Sequence, residues 1–539
     1  MTPPYARNGP DAPGFAKTGK QEHGIRVKKP SSHEPHELGQ TGDPGLTHVT
    51  ETRTAEPNAV DRNPSGRTFL GQPGPLANLF SVEMWERFSF YGMQGILLIY
   101  MYFQTTEGGL GIDEGVATGI VGAYGGMVYV FCILGGWVAD RLIGSERAMF
   151  YSALLIMAGH IVLALVPGIP GLVLGLLLVA VGSGGLKANV ANLVGHLYTR
   201  EDPRRDAGFS IFYMGVNIGG LFGPLVTGWV QQSWGFHLGF GLAALGMGIG
   251  LLQYSVRRKD LPEDVHAVPD PLPRNQYPKW IVIAAVALVV VGVLLGTGVV
   301  HAGNLADVVV ILAAAAAVAI FAYLLASSKV TGVERSRVIA FIPLFIGSAA
   351  FFALFQQQFT VITLYSDTRL DRDIFGWEMP IPWVQSINPV FIILFAPVFA
   401  WLWTRLGKRQ PNTPVKFALG IALMGSAFLL FLPMVSTAAV PVLWIALILF
   451  AATMGELLVS PVGLSLSTKL APVNFPVMMV ALYNLSVALG TALAGSLAGF
   501  YSAENEGTYF GVLGAVTIGI GVLMLLVSKP IHKAMKGVD

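Results

Sequence analysis

Long apolar stretches separated by short polar gaps make up most of the chain from about residue 76 onward. Each stretch has ~20 residues or more, which is the length that an α-helix needs to cross the hydrocarbon core of a bilayer. The pattern predicts fourteen membrane-spanning helices, near 76–104, 115–139, 147–167, 171–197, 207–232, 236–255, 280–301, 306–327, 336–363, 381–404, 414–434, 439–469, 475–502 and 508–528. Because this number is even, we expect both ends of the chain on the same side of the membrane.

Residues 1–75 lack any such stretch and are rich in Pro, Gly, His, Thr and mixed charge. A segment of this composition cannot bury enough apolar surface to fold, so we expect a disordered tail. It also lacks the apolar core of a cleavable signal peptide. We therefore predict that the amino-terminal tail, and with it the carboxyl-terminal tail 531–539, stays in the cytoplasm.

The composition supports a membrane protein, because 53% of the residues are hydrophobic and only 12% are charged, against about 25% in a usual soluble domain. No basic stripe lies outside the loops, which excludes nucleic acid as a partner. The single cysteine, Cys132, excludes an intrachain disulfide and cysteine-based metal chemistry. No metal-ligand cluster, nucleophile elbow or phosphate loop points to an enzyme or to a cofactor.

Basic residues are divided unevenly between the two sides of this topology. The predicted outer side carries only Arg369 and Arg372, both in one loop. The predicted cytoplasmic loops hold Arg141, Arg147, Arg200, Arg204, Arg205, Arg257, Arg258, Lys259, Arg405, Lys408 and Arg409, among others. The positive-inside rule requires this asymmetry. If the helix count were wrong by one, the later loops would change sides and the asymmetry would be lost.

The polar connections divide the spans into groups of six, two and six. The groups are an amino-terminal bundle at 76–255, a cytoplasmic linker with two extra helices at 256–335, and a carboxyl-terminal bundle at 336–530. The segment from Gly136 to Gly144, with Asp140 and Arg141, is similar to the loop between the second and third spans of the major facilitator superfamily. The resemblance implies an all-α polytopic fold in which two six-helix bundles rock around a central site.

Ionisable residues near the middle of a span are costly, about 2.5–3.5 kcal/mol each on insertion scales, and are functional candidates for that reason. Five residues qualify: Glu83, Glu86, Arg87, Lys187 and Glu456. The first three follow the i, i+3, i+4 spacing and share one helix face, and Tyr91 and Gln94 continue the same face.

These charges suggest both a coupling ion and a class of substrate. Three carboxylates face two cations, so one negative charge is left unpaired if all five ionise, and one carboxylate is expected to accept a proton. Cations in one bundle and a carboxylate in the other suit a zwitterion. The carboxylate of the substrate would meet Arg87 and Lys187, and its ammonium group would meet Glu456. The charge types alone therefore favour amino acids or short peptides.

Several longer motifs resemble the proton-dependent oligopeptide transporter (POT) family of the major facilitator superfamily, in the form found in bacteria. The resemblance covers residues about 76–530, and the two extra helices agree with it. The motifs are Glu83–Met93, Gly185–Val190, Gly208–Gly219, Gln385–Pro389 and Gly455–Ser465.

The resemblance implies a proton-coupled symporter that imports di- and tripeptides, a cell-membrane location, and roles for matching residues. Glu83 and Glu86 would take part in proton coupling together with Glu456. Arg87 and Lys187 would bind the peptide carboxylate, and Lys187 would also be able to pair with Glu456. The amino terminus of the peptide would be held by Glu456, Asn217 and Asn388, and the pocket would be lined by Tyr91 and Tyr129. The transport unit is expected to be monomeric.

The chain departs from the family pattern at three positions. The family usually has Tyr where Phe90 stands. It commonly has Arg at the position of Gln94 and an acid near Gln356, and these form an outer-gate ion pair. We expect the amides of Gln94 and Gln356 to hold this gate by hydrogen bonding, although glutamine does not titrate. His160 is predicted to be structural.

Other functions stay open at this point. A member of the same family could carry nitrate or another small organic anion or zwitterion, although the presence of Lys187 and Glu456 favours peptides. A proton-driven drug exporter would not need charges for both peptide ends. A peptide sensor without transport would keep the binding residues and lose proton coupling.

Overall fold

Helices account for most of the computed structural model, which describes residues 66–199 and 202–538. The first group is α1 Pro75–Tyr102, α2 Glu114–Val138, α3 Ser145–Leu165, α4 Gly168–His196, α5 Arg205–Trp234, α6 Phe236–Arg257, α7 Tyr277–Gly296 and α8 Leu305–Ala326. The second group is α9 Gly332–Phe355, α10 Val361–Thr368, α11 Ile387–Leu406, α12 Thr413–Leu429, α13 Val442–Lys469, α14 Pro476–Ala498, α15 Glu506–Leu526 and α16 Ser528–Ala534.

Three small sheets of two-residue strands lie in the loops. They pair β1 Thr68–Phe69 with β2 Gln72–Pro73, β3 Leu370–Asp371 with β6 Val440–Pro441, and β4 Asp373–Ile374 with β5 Trp377–Glu378. The pair of β3 and β6 is parallel, and the other two pairs are antiparallel.

Thirteen of the helical segments in the described part of the chain are long and apolar enough to cross a membrane. The remaining long helix, α1, falls outside this set because Glu83, Glu86, Arg87 and Gln94 lower its mean hydropathy. Each of the fourteen predicted spans corresponds to one of these helices. The polytopic all-α fold predicted from the sequence is therefore confirmed.

One predicted span, 336–363, is divided in the structure. It begins as α9, passes through a 3₁₀ turn at Gln356–Phe359, and continues as the short helix α10. Thr360, at φ −125° and ψ −98°, separates the turn from α10. An unbroken helix would hydrogen-bond its own backbone groups at this depth of the membrane. The break instead makes several polar groups available there.

The long helices form the two bundles of the major facilitator fold. In the first bundle α1 packs against α5 and α6, and α4 against α2 and α3. In the second bundle α12 packs against α13 and α15, and α14 against α9. The bundles meet where α2 contacts α14 and where α5 contacts α11. Glycines allow the first of these contacts, since a Cβ built on Gly122 would lie 2.5 Å from the Cα of Gly495.

The two extra helices lie outside this arrangement. Helix α8 packs on both α2 and α14. Helix α7 has no buried residue, and Trp280 on it contacts Trp137 of α2 with ring centroids 4.7 Å apart. A largely unburied apolar helix of this kind presents its side chains to lipid.

Parts of both predicted tails make contacts in the described residues. Residues 1–65 lie outside the described residues, but the strands β1 and β2 precede α1, and Tyr198 donates a hydrogen bond to Gln72 across 3.0 Å. At the other end, α16 packs on α9 and α12. Ser336 donates to the carbonyl of Ala534 at 2.8 Å, and Met535 is fully buried. Tail composition alone did not reveal these tertiary contacts.

The predicted linker between the bundles is fastened to the first bundle. Glu146, at the start of α3, is fully buried, and Arg258 contacts it at 2.6 Å. His266 lies 3.3 Å from the same carboxylate. Further along, Arg141 pairs with Asp270, whose backbone N–H also donates to the carbonyl of residue 140 at 3.0 Å. The segment 258–276 therefore belongs structurally to the first bundle.

Helix direction assigns each loop to one of two sides. The loops that contain most Arg and Lys residues form the side called here the basic side, and the other side is called the opposite side. Cross-bundle hydrogen bonds lie on the opposite side. Trp383 and Ser386 donate to carbonyls of α5 at 2.9 Å each, and Gln232 donates to the carbonyl of Glu378 at 3.0 Å. The bundles are thus held together on that side.

Candidate functional site

Three charged residues on α1 form a compact triad between the helices of the first bundle. The Nε of Arg87 lies 2.7 Å from Oε1 of Glu83 and 3.1 Å from Oε2 of Glu86. All three residues are buried, with exposed fractions of 4%, 2% and 0% respectively. One guanidinium therefore serves two carboxylates, and a single proton is enough to make the triad neutral. The predicted shared face is present.

Helix α4 joins this triad to the predicted lysine. Ser183 donates to Oε1 of Glu86 at 3.2 Å, and Lys187 follows one turn later on the same face of α4. The Nζ of Lys187 lies 4.0 Å from the ring centroid of Tyr129 on α2. Gly182–Gly185 pack closely on α2 and α3, which brings this face of α4 near both partners.

The second bundle contributes a separate polar group. Asn388, in the first turn of α11, donates to Oε2 of Glu456 on α13 at 3.0 Å and to the hydroxyl of Thr453 at 2.9 Å. Asn388 is buried, and Glu456 is half-buried. The carboxamide orients the carboxylate without neutralising it, because an amide carries no charge.

The remaining predicted lining residues lie on the first bundle. Tyr91 stacks on Phe359 of the second bundle, with ring centroids 6.1 Å apart, and so touches the contact between bundles. Asn217 on α5 is half-buried and donates to the backbone carbonyl of Tyr213 at 2.9 Å. One N–H of its amide is thus used within its own helix, and no hydrogen bond to its carbonyl oxygen is found among the described residues. Phe90 stacks on Tyr124 with a centroid distance of 6.1 Å.

Four of the predicted site residues are not fully buried. Lys187, Glu456, Asn217 and Tyr129 are half-buried although each lies well inside a helix predicted to span the membrane. Within residues 66–199 and 202–538, no ion pair within 4.0 Å joins Lys187 to Glu456. The suggested pairing of these two residues is therefore not formed in this conformation. Tyr91 lies close enough to Arg87, Lys187 and Glu456 to interact with the charge of each.

The predicted gate between Gln94 and Gln356 is also not formed. Gln356 donates to the hydroxyl of Thr491 on α14 at 2.9 Å, which is a contact within the second bundle. Gln94 is 3% exposed, and its Oε1 has no hydrogen-bond partner among the described residues. The neighbouring Gln357 accepts from Tyr509 at 2.8 Å. The 3₁₀ turn directs these side chains differently from a continuous helix, which the apolar pattern could not indicate.

Two residues that contact the site were not identified from the sequence. Ser183 binds Glu86, and Thr453 binds Asn388. Both could have been found by helical spacing, since Ser183 precedes Lys187 by four positions and Thr453 precedes Glu456 by three. His160, predicted to be structural, is fully buried in α3, and neither ring nitrogen has a hydrogen-bond partner among the described residues.

Comparisons with known proteins agree with this fold. A model of the POT family matches residues 146–514. An uncharacterized transporter of Bacillus subtilis (strain 168), YclF, is 43% identical over 477 residues, which cover 87% of this chain and 96% of that protein. A di-/tripeptide transporter of Lactococcus lactis subsp. cremoris is 39% identical over 491 residues, which cover 88% of this chain and 98% of that protein.

A solved structure of similar architecture covers nearly the same length. The crystal structure of a peptide transporter POT in complex with sulfate has a TM-score of 0.85 to this chain and 44% sequence identity. The similarity covers 89% of this chain and 99% of that chain. The similarity therefore includes both bundles and the two extra helices between them.

Proposed function

This chain belongs to the POT family, which confirms the resemblance found in its motifs, and on that premise we propose that it imports di- and tripeptides together with protons. Transport proceeds by alternating access of the two bundles to a site between them. The chain acts as a transporter and not as an enzyme, with protons as the coupling ion and no resident cofactor. It works as a monomer in the cell membrane.

One observation carries this proposal: cations of the first bundle and a carboxylate of the second lie near the same side chain, Tyr91, and in the described part of the chain Lys187 and Glu456 form no ion pair with each other. Arg87 and Lys187 belong to the first bundle, and Glu456 belongs to the second. A short peptide has a carboxylate at one end and an ammonium group at the other. Such a molecule satisfies both sets of charges at once, and so binding draws the bundles together. Side chains of the peptide remain in the water-filled part of the cavity.

The other site residues support the two peptide ends. Glu456 accepts the ammonium group, and Asn388 holds the carboxylate of Glu456 in place from 3.0 Å. Asn217 adds a carbonyl oxygen for the same end. Tyr129 keeps Lys187 near the path of the peptide carboxylate, and Tyr91 lines the pocket next to the bundle contact.

The triad on α1 provides the link to protons. Two carboxylates share the guanidinium of Arg87, so protonation of Glu83 or Glu86 weakens the hold on Arg87 and releases it toward the peptide carboxylate. Glu456 is the third carboxylate that can exchange a proton with the site. Each proton that moves inward contributes about 2.3 kcal/mol per 100 mV of membrane potential. That amount supports accumulation of roughly 50-fold per 100 mV.

The orientation follows from charge. The basic side faces the cytoplasm, since cytoplasmic loops carry the excess of Lys and Arg, and both ends of the chain lie there. The bundles are held together on the opposite side, which faces outward in this orientation.

The test is uptake of labelled dialanine into proteoliposomes that contain the full chain, with and without an inward proton gradient. We expect accumulation in wild type only when the gradient is present. Glu83→Gln removes one carboxylate of the triad and is expected to abolish accumulation while exchange of dialanine at equal concentrations continues. Lys187→Ala is expected to raise the KM for dialanine roughly 10-fold or more, because it removes a charge-assisted hydrogen bond.

Lys329→Ala is the matched control, because Lys329 is an exposed lysine in the loop before α9. It should transport as wild type does. If wild type neither accumulates nor exchanges dialanine but takes up nitrate or another anion, the peptide proposal fails. If dialanine exchanges but never accumulates, transport without proton coupling is the remaining explanation.

A further inference from the structure

One face of α11 carries an exposed apolar stripe that ends in an arginine at the basic side. The stripe, called here the α11 stripe, consists of Val390, Leu394, Val398 and Trp401, which are between 37% and 58% exposed. The spacing of four, four, three and four residues keeps these side chains and the exposed Arg405 on one face of the helix. In a membrane, such a face meets acyl chains along its length and lipid headgroups at its end.

The cations at the basic end of α11 lie against aromatic rings. The guanidinium carbon of Arg405 lies 5.2 Å from the ring centroid of Trp401, one turn earlier on the same face. Across the α11–α12 loop, the Nζ of Lys416 lies 4.3 Å from the ring centroid of Trp403 and donates to the side-chain oxygen of Gln410 at 2.8 Å. A cation that rests on an aromatic ring keeps its charge, so it still attracts an anion.

The sequence around these cations supplies no acidic partner. No Asp or Glu occurs between Glu378 and Glu456, and the basic residues in this stretch are Arg405, Lys408, Arg409 and Lys416. Arg409 is exposed and follows α11 in the 3₁₀ turn Gly407–Arg409. In the part of the chain that the structure describes, neither Arg405 nor Arg409 belongs to an ion pair. Both guanidinium groups are therefore available to an anion from outside the chain.

Other arginines on the basic side do have acidic partners. Arg258 contacts Glu146 at 2.6 Å, and Arg204 contacts Asp202 at 2.9 Å. Membrane topology requires an excess of cations on this side, but it does not require that two of them lie unpaired at the end of an exposed apolar stripe. The end of α11 thus combines unpaired positive charge with apolar surface.

A lipid matches this combination better than a second copy of the chain does. A two-fold symmetric contact places the same patch on both subunits, so Arg405 and Arg409 would meet their own copies without an acid between them. An anionic phospholipid instead brings a phosphate, which guanidinium groups bind in bidentate fashion, and acyl chains that cover apolar surface. Basic pockets beside membrane-spanning helices on the cytoplasmic side bind headgroups of this kind.

We propose that the basic end of α11 is a binding site for an anionic phospholipid. Arg405 and Arg409 hold the headgroup phosphate, and an acyl chain lies along the α11 stripe. The ring of Trp401 lies between the two, at the level of the membrane interface where tryptophan is favoured. The site belongs to the second bundle alone and is separate from the central charges that bind the peptide.

The test measures how lipids with brominated acyl chains quench the fluorescence of Trp401. The full chain is reconstituted into phosphatidylcholine bilayers with rising mole fractions of brominated phosphatidylglycerol, or of brominated phosphatidylcholine as the reference. Because the chain has 10 tryptophans, the signal of Trp401 is the difference between each protein and its Trp401→Phe counterpart. We expect half-maximal quenching at a roughly 10-fold lower mole fraction of the anionic lipid than of the zwitterionic one. Both leaflets have the same composition, so the orientation of the protein does not affect the result.

Three variants separate a defined site from general attraction of lipid to the basic side. The double variant Arg405→Gln, Arg409→Gln removes both guanidinium groups, so the two lipids should quench Trp401 at equal mole fractions. Arg405→Lys keeps a cation in place and should keep the preference for the anionic lipid. Lys329→Gln is the matched control, because Lys329 is an exposed basic residue on the same side but outside α11, and it should behave as wild type does.

Equal quenching of wild type by the two lipids overturns the proposal, as does a preference that survives in the double variant. A loss in Lys329→Gln as large as in the double variant also overturns it, because diffuse attraction to the whole basic side would then explain the preference. Excess inorganic phosphate should leave the preference in place, and its loss would assign the cations to a soluble anion instead. No peptide is present, so a chain that prefers the anionic lipid but does not transport dialanine would contradict the proposed function and leave the lipid site intact.

Discussion

Lys187 rests its ammonium group on the face of Tyr129, with 4.0 Å between Nζ and the ring centroid. A cation over an aromatic face is attracted by the ring quadrupole, and the attraction grows when both groups are shielded from water. The ring keeps the charge of Lys187 directed at the cavity without cancelling it. An acidic partner in this place would compete with the carboxylate of a peptide.

The first prediction concerns this ring. Tyr129→Leu should raise the KM for dialanine about 3- to 30-fold, since a cation–π contact contributes about 0.5–2 kcal/mol. Tyr129→Phe keeps the aromatic face and should remain within about 2-fold of wild type. Uptake at graded dialanine concentrations measures both. An equal effect of the two substitutions would assign the role to the hydroxyl instead.

The second prediction concerns recognition of the peptide amino terminus. Glu456→Gln keeps the shape of the residue and its amide contact with Asn388 but removes the charge that meets the ammonium group. Affinity for dialanine should fall roughly 10- to 150-fold, because a hydrogen bond to a charged group contributes about 1.5–3 kcal/mol. Competition with N-acetyl-dialanine supplies the contrast, since that ligand has no ammonium group and should bind both forms about equally. An equal loss of affinity for both ligands would mean that Glu456→Gln disturbs folding and does not remove a specific contact with the ammonium group.

The third prediction concerns the contact between α2 and α14. An added methyl group at Gly122 would lie 2.5 Å from the Cα of Gly495, which is too close for any side chain. Gly122→Ala should therefore destabilise the protein by about 1–3 kcal/mol through overpacking. Gly119→Ala, one turn earlier on α2, meets nothing within 4 Å and is the matched control. Thermal unfolding midpoints in detergent are measured for both variants. Equal midpoints would contradict the prediction, because they would mean that the bundles can move apart at Gly122 without a loss of stability.

The fourth prediction concerns the carboxylate that holds the linker. Arg258→Ala leaves the fully buried Glu146 without its guanidinium partner. We expect a loss of about 1–3 kcal/mol, at the low end of the cost of an unpaired buried charge because Arg258 is itself about one-third exposed. Lys259→Ala, an exposed neighbour, should have little effect. Limited proteolysis of the linker at basic residues should accelerate only in the Arg258 variant.

The membrane-spanning helices could be predicted from the sequence because apolar length reports directly on the thickness of the bilayer. The central charges could be predicted for the same reason, since a charge such as Glu86 or Lys187 inside a span is costly without a function. Helical spacing was enough to place Glu83, Glu86 and Arg87 on one face. Their contacts at 2.7 Å and 3.1 Å agree with that spacing.

Contacts between helices could not be predicted in the same way. The direction of Gln356 depends on the break at Thr360, which leaves no mark in the apolar pattern. The distance between Lys187 and Glu456 depends on how the two bundles are arranged, which the spacing within a single helix does not encode.

The attachment of residues 258–276 to the first bundle changes where the molecule can bend. A loop of that length between two bundles would normally act as slack that absorbs their relative motion. Here it is bonded to the first bundle, whereas the turn 327–331 between α8 and α9 is bonded to the second, because Asn474 donates to the carbonyl of Lys329 at 3.1 Å. The chain between these two attachments consists of α7 and α8, and α8 touches both α2 and α14. A reporter inserted into the long loop would therefore record movement of the first bundle, whereas one placed in the short turn would record movement of the second.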